Sequence, residues 1–231
     1  FAKGGRGAAM STSDWWVHLL WVLGAGIVGF SVTAVCAGWL KLERGQLVLA
    51  YALIAGAFLA AYFRWSQIDL VEELRQGWPL GLAGAVVVGF LMVRNVLSQP
   101  SSPRSEGAQL AFDLVWPGVV YGVLDGVFLS VMPLLASRQA FADLGWSGWV
   151  GAVGAALAGL LASSYVTTAY HLGYPEFRGS EVVMPILGND IMSLGMILTR
   201  NPLTAALSHA AMHVAAVLQG METTIQLPPH Y

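Results

Sequence analysis

Seven apolar stretches, at roughly residues 15–40, 47–63, 78–98, 109–136, 147–171, 182–199 and 203–219, run through almost the whole chain. Each approaches the roughly 20 residues that an α-helix needs to cross about 30 Å of hydrocarbon. The expected fold is therefore all-α, a polytopic transmembrane bundle of about seven spans forming one integral membrane domain over residues 1–231. Within it we distinguish N-terminal spans (1–98), a core (109–219) and a polar tail (220–231). Charge supports this: 10% of residues are charged and 56% hydrophobic, where soluble domains carry about 25% charged residues. Trp15, Trp16, Trp39, Trp78 and Trp146 stand near span ends, where indole side chains prefer the headgroup level. The lipid bilayer is thus the first partner. A net charge of −2 and the absence of any Lys/Arg cluster exclude nucleic-acid binding, which needs concentrated positive charge.

The chain starts at Phe1 rather than Met, so the segment FAKGGRGAAMSTSD is read as a processed or incomplete start. The run at 15–40 is too long for a signal-peptide core and is kept as a span. Between spans two and three, Ile68, Leu70, Val71 and Leu74 fall at helical spacing among charges, which predicts a short amphipathic helix along the interface. The stretch SQPSSPRSEGAQ at 98–109 reads as a loop. The lone Cys36 is a small packing residue. Orientation is not encoded by loop charge: Lys3, Arg6, Arg64, Arg75, Arg138 and Arg200 fall on one side, and Lys41, Arg44, Arg94, Arg104 and Arg178 on the other. The tail METTIQLPPHY is polar and ends in prolines, so it is expected on the surface or docked on a partner.

Function is most visible in the last span, where His209 and His213 lie four residues apart, about one helical turn, on one face. Ionisable groups in hydrocarbon turn toward a protein interior, a cavity or a cofactor. Three aspartates, Asp113, Asp125 and Asp190, also fall inside spans, each with a structural reading as an interhelical hydrogen-bonding group. Asp113 is close to its span's start. Asp125 has Tyr121 one turn before it and Pro117 and Pro133 on either side, which distort a helix. Asn189 and Asp190 sit between Gly188 and Gly195. His171 closes the fifth span. His171, His209 and His213 with one carboxylate compose a zinc or iron donor set, with the base supplied by Asp125, Asp190 or Glu176 because Ala210 stands where a zincin has Glu. The same histidines could ligate haem or chlorin, or satisfy one another structurally. His18 reads as an interface side chain near Trp15 and Trp16.

Gly24-Ala25-Gly26-Ile27-Val28-Gly29 matches a dinucleotide-binding fingerprint by letter, but it lies inside an apolar run with no strand before it, so it reads as helix packing. The same holds for Gly151, Ala155, Gly159 and Ser163, a small residue at every fourth position. These faces of spans one and five are where contacts with other membrane subunits are expected.

From about residue 117 to 219, the order and spacing of motifs resemble the CPBP family, the CAAX-protease and bacteriocin-processing (Abi) intramembrane proteases. That family carries Glu-Glu-x-x-x-Arg on one helix, Phe-x-x-x-His at the end of the next, and His-x-x-x-Asn on a last core helix. LLASSYVTTAYHLG resembles the second motif, with His171 at the histidine and Thr167 in place of the aromatic. SHAAMH resembles the third, with His209 at the histidine and His213 where Asn is usual. VVYGVLDGVFLSVMPLL resembles the first only in spacing: Leu124 and Asp125 stand at the glutamates and Leu129 at the arginine. The resemblance implies an intramembrane endopeptidase in which Asp125 acts as base, with His171, His209 and His213 around the water, or a relative that has lost catalysis and kept the scaffold. The alternative outside this family is a non-catalytic subunit of a larger membrane complex, binding haem, chlorin or lipid through its histidines.

Overall fold

The computed structural model describes residues 14–222 and 226–228. The start of the chain (1–13) and tail positions 223–225 and 229–231, with the readings that fall on them, lie outside the described residues. Among the described residues, and besides a 3-10 turn at Pro175–Phe177, eight helices follow in order: α1 (Trp15–Trp39), α2 (Arg44–Ser66), the short α3 (Leu70–Arg75), α4 (Trp78–Leu97), α5 (Gly107–Asp143), α6 (Gly148–Leu172), α7 (Ser180–Thr199) and α8 (Leu203–Gln219). Six are long and apolar enough to cross a membrane, and α8 is a shorter apolar helix of 17 residues. Among the described residues there is no β-strand. Large side chains such as Ile27, Leu53, Phe90, Leu161 and Leu198 point outward and are more than half exposed, an arrangement that water penalises and lipid accepts. The chain is an integral, multi-pass membrane protein.

The helix that organises the bundle is α5. Its 37 residues would span about 55 Å if straight, but two π-helical segments, Leu114–Val120 and Gly126–Val131, interrupt it. Pro117 lies inside the first and Pro133 follows the second. A proline offers no N–H and crowds the carbonyl four residues back, and widened turns absorb the mismatch. Asp125 closes the single α-helical segment between them, Tyr121–Asp125.

Gly122 and Gly126 bring α5 into contact with α8. A Cβ on Gly122 would lie 2.7 Å from Ala210 Cα, and one on Gly126 would lie 2.8 Å from Ala206 Cα. Backbones therefore touch where a small-xxx-small pair on one helix meets another on its neighbour. The stripe on α6 is used in the same way. Gly151, Ala155, Gly159 and Ser163 are all buried, with Gly159 against Leu134 and Ser163 donating to the Leu129 carbonyl at 2.7 Å. On α1, Gly29 faces Phe128 and Tyr170, and Thr33 Oγ1 donates to the Tyr170 carbonyl at 2.7 Å. This corrects the expectation of subunit contacts through these faces: both are filled from within the chain.

The amphipathic helix is α3, capped by Asp69, whose carboxylate accepts from Glu72 N at 3.0 Å. The Glu72 carboxyl is held below the usual carboxylate range by the Gln76 amide and then by Arg75. Buried Asn201 anchors α3 to the α7–α8 turn. Its amide nitrogen donates to the carbonyls of Glu73, Leu74 and Gln76 at 3.2, 3.0 and 2.7 Å, while its oxygen accepts from Leu203 N at 2.8 Å. Asn201→Ala leaves these groups without partners and is expected to destabilise the protein by about 2 kcal/mol. A melting midpoint in detergent unchanged from the parent would show that α3 is held by other contacts.

Two peripheral expectations change. His18 is not an interface side chain: it is 2% exposed, with Nδ1 3.2 Å from the Tyr62 hydroxyl, Nε2 3.5 Å from Asp143 Oδ2, and its ring edge-on to Trp65. A polar imidazole on an otherwise lipid-facing helix turns inward to these partners. The described part of the tail folds back on the bundle. Leu227 is buried against the Val96 and Ala215–Val217 cluster, and Arg44 donates to the carbonyls of Met221 and Pro228, both at 2.8 Å.

Candidate functional site

Asp125, His171, His209 and His213 line one cavity of about 80 Å³ in the core of the bundle. The helix periods explain the meeting. His209 and His213 share the inner face of α8, and the glycine contacts press that face against the turn of α5 that ends in Asp125. His171 reaches the cavity from the last turn of α6.

Asp125 is buried. Its Oδ1 accepts from the Tyr51 hydroxyl at 3.0 Å, and its Oδ2 lies 3.4 Å from His213 Nε2 and 4.0 Å from His209 Nδ1. The two imidazoles are near parallel, with centroids 6.2 Å apart, and the ring of Tyr121 stands edge-on to His213 at 4.8 Å. Among the described residues, no group hydrogen-bonds to His209 Nδ1 or to either ring nitrogen of His213, although all three atoms are buried. His171 differs. Its Nδ1 is 2.8 Å from the Thr167 carbonyl; a carbonyl only accepts, so Nδ1 carries the proton and Nε2 is the basic nitrogen.

A second layer fixes His209. Its Nε2 lies 3.2 Å from Asn189 Oδ1, which also accepts from Ser130 Oγ at 2.7 Å. Asn189 Nδ2 donates to Ser163 Oγ at 2.7 Å, and Ser193 Oγ donates to Ser130 Oγ at 3.1 Å. This network joins α5, α6, α7 and α8 around one amide. On the other side, the hydroxyls of Tyr121, Tyr170 and Tyr174 form a chain with separations of 2.6 and 2.9 Å. Met92, Met184, Met192 and Met212 supply most of the apolar wall, flexible side chains that adapt to what they contact.

Other acidic groups have different neighbours. Asp113 accepts from Ser105 and Gln109 at 2.5 and 2.9 Å, Asp190 accepts from Ser164 at 2.8 Å, and Glu176 is exposed in the connection after α6. Among the described residues, the compact donor set is narrower than the three histidines and one carboxylate expected from sequence, since His171 is not part of it. It is Asp125, His209 and His213, whose ligand atoms all lie within 4.8 Å of one another. The cavity, about 80 Å³, admits waters, an ion or one functional group, whereas a haem or chlorin ring needs a pocket on the order of 300–1,000 Å³.

Tyr51, Asn189 and the three serines were not assigned to the site from sequence. Their only sequence signal is helical phase: Asn189 and Ser193 are one turn apart in an apolar span, as are Gly122 and Gly126. No family model matches the chain, and no curated protein or solved structure does either.

Proposed function

We propose that the chain is a divergent CPBP-like intramembrane hydrolase that cleaves an amide bond in an apolar, membrane-embedded peptide. The observation that carries this reading is Asp125: a buried carboxylate oriented by Tyr51, with two imidazoles beside its second oxygen, on the wall of a small cavity within a membrane bundle. A carboxylate in hydrocarbon is costly and is retained where it does chemistry or is fully satisfied, and the unpartnered nitrogens around it favour the former. In this mechanism Asp125 Oδ2 accepts a proton from water as the water oxygen bonds to the carbonyl carbon. The tetrahedral adduct then breaks its C–N bond, the proton passes to the leaving nitrogen, and the products are a carboxylic acid and an amine. His213 occupies the position of the family's Asn, and an N–H from its ring stabilises the oxyanion. His171, with Nε2 unprotonated, is a second proton acceptor on the cavity wall.

The departures from the family pattern are consistent with this assignment. Asp125 is one methylene shorter than a glutamate, a displacement that costs rate unless the carboxylate is placed by its surroundings. Tyr51, from outside the 109–219 core, supplies that placement. The methionine wall suits an apolar chain entering from the bilayer. A role as a subunit of a larger assembly would have to use the outer faces of other helices, because the small-residue faces of α1 and α6 are occupied.

The test is hydrolysis of a library of membrane-spanning peptides by the protein in liposomes made up in H₂¹⁸O. The expected result is a fragment with one ¹⁸O in its new carboxyl group, identified by mass spectrometry. Fragments without the label, or none from any peptide, would overturn the hydrolase reading and leave a scaffold relative.

A further inference from the structure

We infer that Asp125, His209 and His213 bind a divalent transition metal ion, with Asp125 Oδ2, His209 Nδ1 and one ring nitrogen of His213 as ligands. The inference rests on the same site as the hydrolase reading and deepens it: Asp125 would then act on water through the ion, leaving His171 as the proton acceptor.

Three independent features point to an ion rather than to an internal hydrogen-bond network. The first is tautomer. Ser163 Oγ donates its proton to the Leu129 carbonyl, so it must accept from the Asn189 amide nitrogen. That turns the amide oxygen toward His209, where it accepts from Ser130 and from His209 Nε2. His209 Nε2 therefore carries the proton, and the lone pair on Nδ1 faces Asp125. A hydrogen bond from the remote nitrogen to an oxygen acceptor is the usual support of a metal-ligating histidine.

The second feature is the unused valence. Burial of a nitrogen without a hydrogen-bond partner is costly, and among the described residues this cluster holds His209 Nδ1 and both ring nitrogens of His213 in that condition. Asp125 is supported in the complementary way, with Tyr51 on Oδ1 and Oδ2 turned to the histidines.

The third is spacing. Ligand bonds of about 2.0–2.1 Å at a tetrahedral angle place donor atoms about 3.3 Å apart. Asp125 Oδ2 is 3.4 Å from His213 Nε2 and 4.0 Å from His209 Nδ1, and the ligand atoms of all three side chains lie within 4.8 Å of one another. Two imidazoles and a carboxylate suit zinc or iron(II), and three protein ligands beside a small cavity leave a coordination position open.

The decisive measurement is metal content, which needs no activity. Protein purified without a histidine tag and stripped with a chelator is dialysed against Zn²⁺ and, separately, against Co²⁺ and Fe²⁺. We expect about one ion per chain by mass spectrometry, a tetrahedral visible spectrum with Co²⁺, and a rise in melting midpoint on loading. Asp125→Asn keeps volume and hydrogen-bonding groups and His213→Asn keeps a polar amide in a smaller side chain; both are expected to lose the ion and the rise, whereas His171→Ala retains both. A parent that takes up less than a tenth of an equivalent of every ion, or folded variants that bind as the parent does, would overturn the inference. Hydrolysis that persists in stripped protein would also overturn it while leaving Asp125 as the base. A loaded protein that cleaves nothing would instead overturn the hydrolase reading and leave the metal site standing.

Discussion

Asp125→Asn is expected to lower amide hydrolysis by about 10²–10⁴-fold, the range that a positioned acid–base group contributes, while the protein remains folded. The side chain keeps its volume, and its oxygen still accepts from Tyr51, so the hydrogen bond at 3.0 Å survives. What is lost is the negative charge beside His213 and His209, and with it the group that draws a proton from water. Removing a charge from a buried site does not by itself unfold a protein, because the desolvation cost of that charge disappears with it. A melting midpoint within a few degrees of the parent is therefore the expected control. Tyr51→Phe should act in the same direction but more weakly, since it loosens the carboxylate without removing it. Turnover of Asp125→Asn equal to that of the parent would remove Asp125 from the mechanism.

Gly126→Leu is expected to be severely damaging to the fold around the site. A Cβ at this position would stand 2.8 Å from Ala206 Cα, 3.1 Å from the Ala205 carbonyl oxygen and 3.2 Å from His209 Cβ. The nearest obstruction is backbone, so no rotamer change on α8 relieves it. The helices must separate, at about 3 kcal/mol or more of overpacking. Separation also carries His209 away from Asp125, and a misplacement of about 1 Å can cost roughly 10²-fold in rate. The contrast is Gly56→Ala on α2, where a Cβ meets nothing within 4 Å. That change should be neutral or stabilising by up to about 1 kcal/mol, because alanine orders a helix at lower entropic cost than glycine. Melting midpoints of the two variants in the same detergent check the pair. Equal effects would mean that the α5–α8 contact is not tight.

The bundle was legible along the chain because lipid imposes a local rule. With no water to bond the backbone, each segment long and apolar enough to cross must satisfy its own N–H and C=O groups as a helix. The order of the spans therefore follows from run length, although α5 runs to Asp143, beyond the expected 136, and α3 follows from its charged flanks. The pairing of His209 with His213 is local too, since one helical turn places both on one face. Period alone does not say which helix that face meets. Read along the sequence, Asp125 already has the stronger claim through Tyr121 and the flanking prolines, and Asp113 and Asp190 end beside Ser105, Gln109 and Ser164. The difference lies in Gly122 and Gly126, whose missing side chains let α5 touch α8 at the level of Asp125.

The same limit explains Tyr51, Asn189 and His18. Tyr51 comes from α2, some 70 residues before Asp125, and Asn189 reaches His209 across two helices' packing. Neither relation leaves a trace in spacing, because contacts between spans depend on how each helix is rotated and inclined against its neighbours. Small-residue stripes show the point from the other side: their spacing marks a close helix contact, but only the packing of α6 on α5 decides that the partner lies within the chain. Chain chemistry thus dictates which segments are helices and which of their faces cannot rest in lipid. The choice of partner for each face, and with it the convergence of one carboxylate and three imidazoles on a single cavity, belongs to the packed bundle, where steric fit at the glycines selects among contacts that hydrophobicity alone leaves equivalent.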